Sequence, residues 1–165
     1  NETANLKKLS YDNRGQLACS GKINADLLRK LNELPYYSQS HPKSLGREWY
    51  LQNFQSVLNS IDISPEDKLC SICEHIAIQV SASCRSERSS SMMITGGGAH
   101  NEFLVSRIKE LSPHEIYIPE SMIVNFKEAL IFAFLAVLRM ENKVNCFSSV
   151  TGAIHDSICG AVYTG

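Results

Sequence analysis

The run from Thr95 to Asn101 is the part of the chain whose residue types and spacing most favour ligand chemistry. A short apolar segment, residues 91–95, leads into Gly96, Gly97 and Gly98, and a helix is predicted to begin near Asn101. Such a turn directs several backbone N–H groups outward at the positive end of a helix dipole, and glycine allows both a positive φ and a close approach by a ligand. The run predicts an anion or nucleotide site, and the alternative is a tight structural turn without a ligand.

A second group of polar residues surrounds Gly46. Lys43, Ser44 and Arg47 place two cations and a hydroxyl at the predicted start of a helix, which suits contact with a phosphate or with another lobe of a larger protein. The alternative is a helix entry with solvated charges. Residue types alone do not separate these two interpretations.

Glu128 is the acid at the head of an otherwise apolar helix, so it either interacts with the helix dipole or faces a polar cleft. Cys70 and Cys73 form a single CxxC pair within a predicted helix, and without a second pair they are predicted to be structural thiols. His41, His114 and His155 have no nucleophile partner in the sequence and are predicted to lie at the surface.

Composition limits the function classes. The 165 residues are 44% hydrophobic and 20% charged, which fits one ordinary domain, and the net charge of -1 gives no reason to expect nucleic acid as a partner. The longest apolar run, residues 129–138, is shorter than a bilayer requires, so no membrane segment is predicted. Six scattered cysteines favour reduced thiols and a cytoplasmic location.

The elements that position these residues follow from hydrophobic periodicity and from breakers. Strands are predicted to alternate with helices, which indicates an α/β fold with a thin sheet of three strands. The helix at 123–140 is apolar on nearly all sides and is predicted to be central and buried. The predicted elements are helices at 3–9 (last turns only), 25–34, 47–61, 65–84, from 101, and 123–140, and strands at 91–95, 115–118 and 158–163, with a turn at 11–15, a long loop at 36–46 and a serine-rich connection at 85–90.

Five blocks of sequence carry a family resemblance across nearly the whole chain. The sequence resembles the anhydro-N-acetylmuramic acid kinase family, within the superfamily of acetate and sugar kinases, actin and heat-shock chaperones. The matching blocks are Tyr11-Asp12 with Gly15, Ala18 and Gly21; Leu34-Pro35-Tyr36 with the run Pro42 to Glu48; the run Thr95 to Asn101; the run Lys127 to Ala133; and the run Ser149 to Ala153.

The resemblance implies a two-lobed enzyme that uses ATP, Mg²⁺ and water to open the 1,6-anhydro ring of anhydro-N-acetylmuramic acid and to phosphorylate its 6-oxygen, salvaging cell-wall peptidoglycan. It implies that residues 1–165 form the second, nucleotide-binding lobe of an actin-like, ribonuclease H-like ATPase fold, with an incomplete mixed sheet flanked by helices. It also implies roles for single residues: Gly96, Gly97, Gly98 and Asn101 would contact the nucleotide, Lys43, Ser44 and Arg47 a phosphate or the other lobe, and Glu128 the sugar.

The catalytic aspartate segment and the phosphate loops of that family have no counterpart here. The chain is therefore expected to be the C-terminal part of a longer polypeptide, inactive alone, with the N-terminal lobe as its partner. A homodimer remains open. The other classes are a non-catalytic nucleotide-binding protein derived from such a kinase and an oligomerisation module that pairs through the helix at 123–140.

Overall fold

A computed structural model describes residues 8–40, 43–84 and 91–163. Most of the described chain is helical. The α-helices are α1 Gln16–Ser20, α2 Ala25–Asn32, α3 Arg47–Trp49, α4 Gln55–Asn59, α5 Pro65–Ser83, α6 Glu102–Leu111, α7 Ser121–Met140 and α8 Ser148–Thr151, and the strands are β1 Ser91–Met93 and β2 Glu115–Tyr117. Short 3-10 helices cover Asn13–Gly15, Pro35–Ser38 and Gly97–His100.

The buried core lies where α2, α4 and α5 meet. Leu27 and Leu31 on α2 are fully buried and pack with Leu58 on α4. Asn24 begins α2 because its side chain accepts a hydrogen bond from the Leu27 amide at 2.9 Å. The helix predicted at 25–34 is confirmed, although it ends at Asn32, three residues before Pro35, which has no amide donor to continue a helix.

Helix α5 is the long helix predicted at 65–84. Ser64 caps it by accepting from the Asp67 amide at 3.1 Å, and Pro65 occupies the first turn, where no amide donor is needed. The helix packs against α1, α2 and α6. It is therefore the element on which the rest of the described chain is assembled.

The helix predicted at 47–61 is present in interrupted form. A π-helical segment, Tyr50–Phe54, separates α3 from α4, and the last turn ends at Asn59. Tyr50 and Phe54 stack at 5.6 Å between ring centroids across this segment. Pattern recognition at a fixed helical period does not register such a widened turn.

The sheet has two parallel strands within the described residues. Ser91 pairs with Glu115 and Met93 with Tyr117. The prediction of a buried strand at 91–95 is correct in position and wrong in burial, because Met93 is 52% exposed. The prediction of a strand at 158–163 is wrong: these residues form no strand or bridge, the isolated antiparallel bridge nearby joins Cys146 to Ser157, and Gly160 turns the chain with a φ of +102°.

Helix α7 lies on the surface, which contradicts the prediction that it is central. Phe126, Phe132 and Phe134 are each at least 60% exposed, and Val124 is its single buried residue. The all-round apolar pattern correctly indicates a helix, but the part of the chain that the structure describes leaves most of its apolar side chains exposed. By length and composition α7 could also cross a membrane, so the shortness of the run 129–138 does not by itself exclude a span.

Two predicted features lie outside the described residues. These are the start of the helix at 3–9 and the serine-rich connection at 85–90. The turn at 11–15 is present, with Arg14 at a φ of 57° and Gly15 at 77°.

Candidate ligand-binding site at the glycine turn

Gly96 has a backbone conformation that side chains rarely allow. Its φ of 78° and ψ of -177° lie in a region populated almost only by glycine. Its amide donates to the carbonyl of Val124 on α7 at 3.0 Å, and its own carbonyl accepts from the Ala99 amide at 3.0 Å. Conformation alone therefore explains glycine at position 96.

Gly97 and Gly98 have no such explanation. Neither has a positive φ, and a Cβ added to either residue would meet no other described atom within 4 Å. The alternative of a tight structural turn accounts for the first glycine only. Close approach of a ligand to the backbone is the remaining physical reason for glycine at both following positions.

Two cavities meet at the turn. The larger, of about 920 Å³, lies on the side of α5 and α6 and includes Gly97, Gly98 and Asn101 in its wall. The smaller, of about 290 Å³, lies on the side of α7 and includes Gly96 and Gly97. The turn thus forms a partition whose backbone faces both cavities.

The wall of the larger cavity combines an apolar face with a polar rim. Helix α5 supplies Leu69, Ile72 and Ile76, and the segment from Tyr11 to Arg14 lies opposite. Arg14 Nε donates to Glu102 Oε1 at 2.8 Å, which joins that segment to the first turn of α6. An apolar wall beside outward backbone amides suits a planar base attached to an anionic group.

Sequence reasoning did not identify these wall residues. Leu69, Ile72 and Ile76 have the spacing of a core-facing helix surface, and that spacing alone cannot distinguish a core from a cavity wall. The proximity of the Tyr11 to Arg14 turn to the glycine run arises only when α1 and α6 pack on α5.

Asn101 begins α6. Its Oδ1 accepts from the Leu104 amide at 2.9 Å, so the side chain already serves as the helix cap. The same oxygen lies so close to Gly15 that a Cβ there would be 2.1 Å from it. The structure places Asn101 in the wall of the larger cavity and gives its side chain a structural partner.

Asp12 also has a structural role. Its two carboxylate oxygens accept from the amides of Leu17 at 2.8 Å and Ala18 at 3.0 Å, which fixes the start of α1.

The smaller cavity is polar and includes Glu128. Its other charged wall residue is Lys127, and Thr95 and Asn125 complete the polar surface. His100 Nε2 and Asn125 Oδ1 are 3.0 Å apart, so the turn and α7 are tied by a side-chain hydrogen bond as well as by the Gly96 amide. The structure therefore brings Glu128 to the glycine turn, on the opposite side from Asn101.

Lys43, Ser44 and Arg47 lie elsewhere. None of the three contributes to either cavity at the turn. Lys43 Nζ donates to the carbonyls of Tyr36 at 3.1 Å and Tyr37 at 3.3 Å, and it lies 4.8 Å from the centre of the Tyr36 ring. Within the described residues the lysine stabilises its own loop, whereas Ser44 and Arg47 are exposed.

The histidines and the CxxC pair have structural surroundings. Cys70 and Cys73 are buried, and burial raises the pKa of the Cys73 thiol to about 12. No group of three or more metal-ligating His, Cys, Asp or Glu side chains occurs in the described ranges. The prediction of a surface position is wrong for His114, which is buried beside the carbonyl of Cys84, and is confirmed for His155; His41 lies outside the described residues.

The described residues form an α/β protein, mostly helical, in which a glycine turn with cavities on both sides follows the carboxyl end of a strand, the position at which α/β sheets commonly bind ligands. The anhydro-N-acetylmuramic acid kinase family matches residues 2–165. The chain belongs to that family.

Three relatives, each described as an anhydro-N-acetylmuramic acid kinase, show the extent of the match. The protein of Coxiella burnetii strain Dugway 5J108-111 is 38% identical over 167 residues, which cover 98% of this chain and 45% of the relative. That of Sulfurovum sp. is 36% identical, covering 97% and 45%, and that of Saccharophagus degradans is 34% identical, covering 93% and 43%. The chain spans less than half the length of these relatives.

Proposed function

We propose that this chain forms the nucleotide-binding part of an ATP-dependent carbohydrate kinase that opens the 1,6-anhydro ring of anhydro-N-acetylmuramic acid and yields N-acetylmuramic acid 6-phosphate, in cytoplasmic recycling of peptidoglycan. Family membership supports the reaction class. The observation that carries the nucleotide site is the open space at Gly97 and Gly98, where no described atom would meet an added Cβ.

Each cavity is assigned a different ligand group. The larger one suits adenosine, because Leu69, Ile72 and Ile76 offer an apolar wall beside the outward amides of the turn. The smaller one, with Lys127 and Glu128, faces the sugar or the transferred phosphate. A carboxylate and an amine at one cleft can each hydrogen-bond a polyhydroxylated substrate.

Mg²⁺ is part of the proposal through the nucleotide. The described residues hold no cluster of three candidate ligands, so this part of the protein offers no metal cage of its own. In kinases the ion bridges phosphate oxygens and neutralises their charge. We expect its protein ligands in the part of the enzyme that this chain does not contain.

The N-terminal lobe is the proposed partner. It would supply the general base that activates water and the loops that position the phosphates. It would also cover α7, whose exposed Phe126, Phe132 and Phe134 form an apolar surface that this chain leaves without cover. The chain alone is therefore expected to bind nucleotide weakly and to turn over no substrate.

Calorimetric titration with ADP tests the site. Gly97→Ala and Gly98→Ala should each weaken ADP binding about tenfold or more, since a methyl group would hold the ligand away from the backbone amides. The thermal midpoint should not change, because the added carbon meets no described atom. Gly46→Ala is the matched control, at an ordinary φ of -100° and remote from both cavities. Unchanged ADP affinity in both turn variants would remove the glycine turn from the site.

A second observation favours a second candidate. The exposed α7 is also what a non-catalytic oligomerisation module would present, as a homodimer for example. Joining this chain to the N-terminal portion of a relative, and following ATP-dependent formation of the sugar phosphate, separates the two. Turnover supports the kinase, whereas ADP binding without turnover, together with a stable dimer in light scattering, supports the module.

A further inference from the structure

Cys146 and Cys159 are held side by side by the backbone near the end of the described chain. The Cys146 amide donates to the Ser157 carbonyl at 3.1 Å, and the Ser157 amide donates back at 2.9 Å. The side chain of Asn145 makes two hydrogen bonds with the backbone of Cys159. Its Oδ1 accepts from the Cys159 amide at 2.7 Å, and its Nδ2 donates to the Cys159 carbonyl at 3.1 Å. Four hydrogen bonds therefore fix the two cysteines relative to each other.

Ser157 Oγ lies 3.6 Å from Cys159 Sγ, and the two thiols are close enough for each to shift the pKa of the other. Both thiols are free. Together they line a cavity of about 550 Å³ between the second half of α7 and the segment after Cys159. Cys159 is exposed and Cys146 is partly buried, so a small reagent can reach the first and find the second beside it.

We propose that Cys146 and Cys159 form a dithiol modification site, which a hydroperoxide oxidises to an intramolecular disulfide. The site is separate from the glycine turn, because neither cysteine lines the cavities there. It does not depend on the proposed kinase function.

The reaction proceeds in two balanced steps. The Cys159 thiolate attacks one peroxide oxygen, the O–O bond breaks, and the products are a Cys159 sulfenic acid and hydroxide, which takes up a proton to become water. The Cys146 sulfur then attacks the sulfenic sulfur, the S–O bond breaks, and a second water leaves with the thiol proton. Two thiols lose two electrons in total, and one hydroperoxide accepts them.

The surroundings assign the order of attack. Hydrogen bonds from Ser157 and Cys146 lower the pKa of Cys159, whereas the hydrogen bond to Cys159 raises the pKa of Cys146. The thiolate is the attacking form of a thiol. Cys159 is therefore the nucleophile and Cys146 the resolving thiol, an arrangement in which the more exposed sulfur meets the oxidant first.

The other four cysteines lack the paired arrangement of Cys146 and Cys159. Cys19 and Cys84 are exposed thiols, and neither shares the paired contact that joins Cys146 to Cys159. Cys70 and Cys73 are buried, and burial raises the pKa of both thiols. Cys19 and Cys84 thus serve as internal controls for exposure without a neighbouring thiol.

The test uses the full chain and dilute hydrogen peroxide. After a short exposure, free thiols are blocked with N-ethylmaleimide and the protein is digested and mapped by mass spectrometry without reduction. We expect a peptide pair joined between Cys146 and Cys159, formed at least about tenfold faster than any oxidation of Cys19 or Cys84, and reversed by dithiothreitol. In Cys146→Ser, Cys159 should stop at the sulfenic acid and be trapped by dimedone.

Two results would overturn the proposal. One is oxidation of Cys159 at the same rate as Cys19, since the folded surroundings would then give no selectivity. The other is the same selectivity for the 146–159 bond in guanidinium chloride, because the pairing would then reflect nearness in sequence rather than the hydrogen-bonded arrangement. The denaturant comparison uses unmodified protein, so it does not depend on how well a cysteine variant folds.

Discussion

His75 is a buried polar side chain whose hydrogen-bond partners come from two other elements of the fold. It is 1% exposed, and its Nδ1 lies 2.7 Å from Asn32 Oδ1 while its Nε2 lies 2.9 Å from the Tyr37 hydroxyl. The Asn32 oxygen also accepts from Gln79 Nε2 at 2.9 Å and can only accept, so the imidazole proton is on Nδ1 and Tyr37 donates to Nε2. Asn32 and Tyr37 therefore satisfy both ring nitrogens of neutral His75, and Gln79 holds the Asn32 amide in place.

A pH dependence of stability follows from this arrangement. Burial lowers the pKa of His75 to about 4, from 6.5 in an unfolded chain. The unfolded state binds the extra proton between those values, so stability is complete above about pH 6.5 and falls as the pH drops toward 4, by up to about 3 kcal/mol. Urea unfolding at pH 7 and pH 5 measures the loss.

The variant His75→Gln removes this titrating group, and it should show a smaller change in unfolding free energy between pH 7 and pH 5 than the unmodified chain. His155→Gln is the matched control, because His155 is exposed. If the slope of stability against pH is the same in all three proteins, another group titrates and the assignment to His75 is incorrect.

The roles of some single residues can be predicted from the sequence, and those of others cannot. The helix caps Asn24, Ser64 and Asn101 were predictable, since each precedes a periodic apolar run. His75 was not, because its environment requires α2, α5 and the Pro35–Ser38 turn to be assembled. The residues that line the larger cavity could not be predicted for the same reason.

Between elements, Gly21 lies directly against the backbone at the start of α5. A Cβ on Gly21 would lie 2.2 Å from the carbonyl oxygen of Glu66 and 2.8 Å from the amide nitrogen of Asp67. Two further bonds close this junction: Lys22 donates its amide to Asp67 Oδ1 at 2.7 Å, and Asn24 donates its amide to Ser71 Oγ at 2.8 Å. The segment between α1 and α2 is thereby fastened along the first turns of α5.

Gly21→Ala should destabilise the fold by about 1–3 kcal/mol, because the obstructing atoms are backbone and cannot rotate away. Chemical denaturation checks this value. Gly97→Ala is the control, because neither glycine has a positive φ and an added Cβ at position 97 would meet open space. Equal stability of the two variants would mean that α1 does not pack on α5 as closely as described.

The junction also explains part of the family resemblance in physical terms. Gly15, Ala18 and Gly21 recur in the Tyr-Asp block, and here Ala18 is fully buried while both glycines lie against neighbouring backbone or caps. The block could be recognised from the sequence, whereas its packing role required the structure. Strand 158–163 failed as a prediction because apolar β-type residues there pack beside α7 without a partner strand.

For the whole molecule, the main feature is the surface of α7. An apolar helix without cover promotes association in water, since burying its side chains releases about 25 cal/mol per Å² of apolar area. Hydrophobic periodicity predicted the helix itself. It could not predict exposure, because the period of apolar residues does not show whether another element packs on them.

We expect Phe126→Gln combined with Phe134→Gln to reduce both self-association in light scattering and binding of the dye ANS, without lowering the unfolding free energy, since both side chains are at least 60% exposed. Val124→Asn is the matched comparison on the same helix. Val124 is 4% exposed, so a polar residue there should destabilise the fold by about 1–3 kcal/mol. Undiminished association of the double variant would assign the contact to another surface.

The attachment of α7 has a mechanical consequence. The helix is about 30 Å long, and it is tied near its first turns to the glycine run by the Gly96 amide on the Val124 carbonyl and by His100 on Asn125. A partner that shifted α7 would therefore have to carry the glycine turn with it or break these two hydrogen bonds.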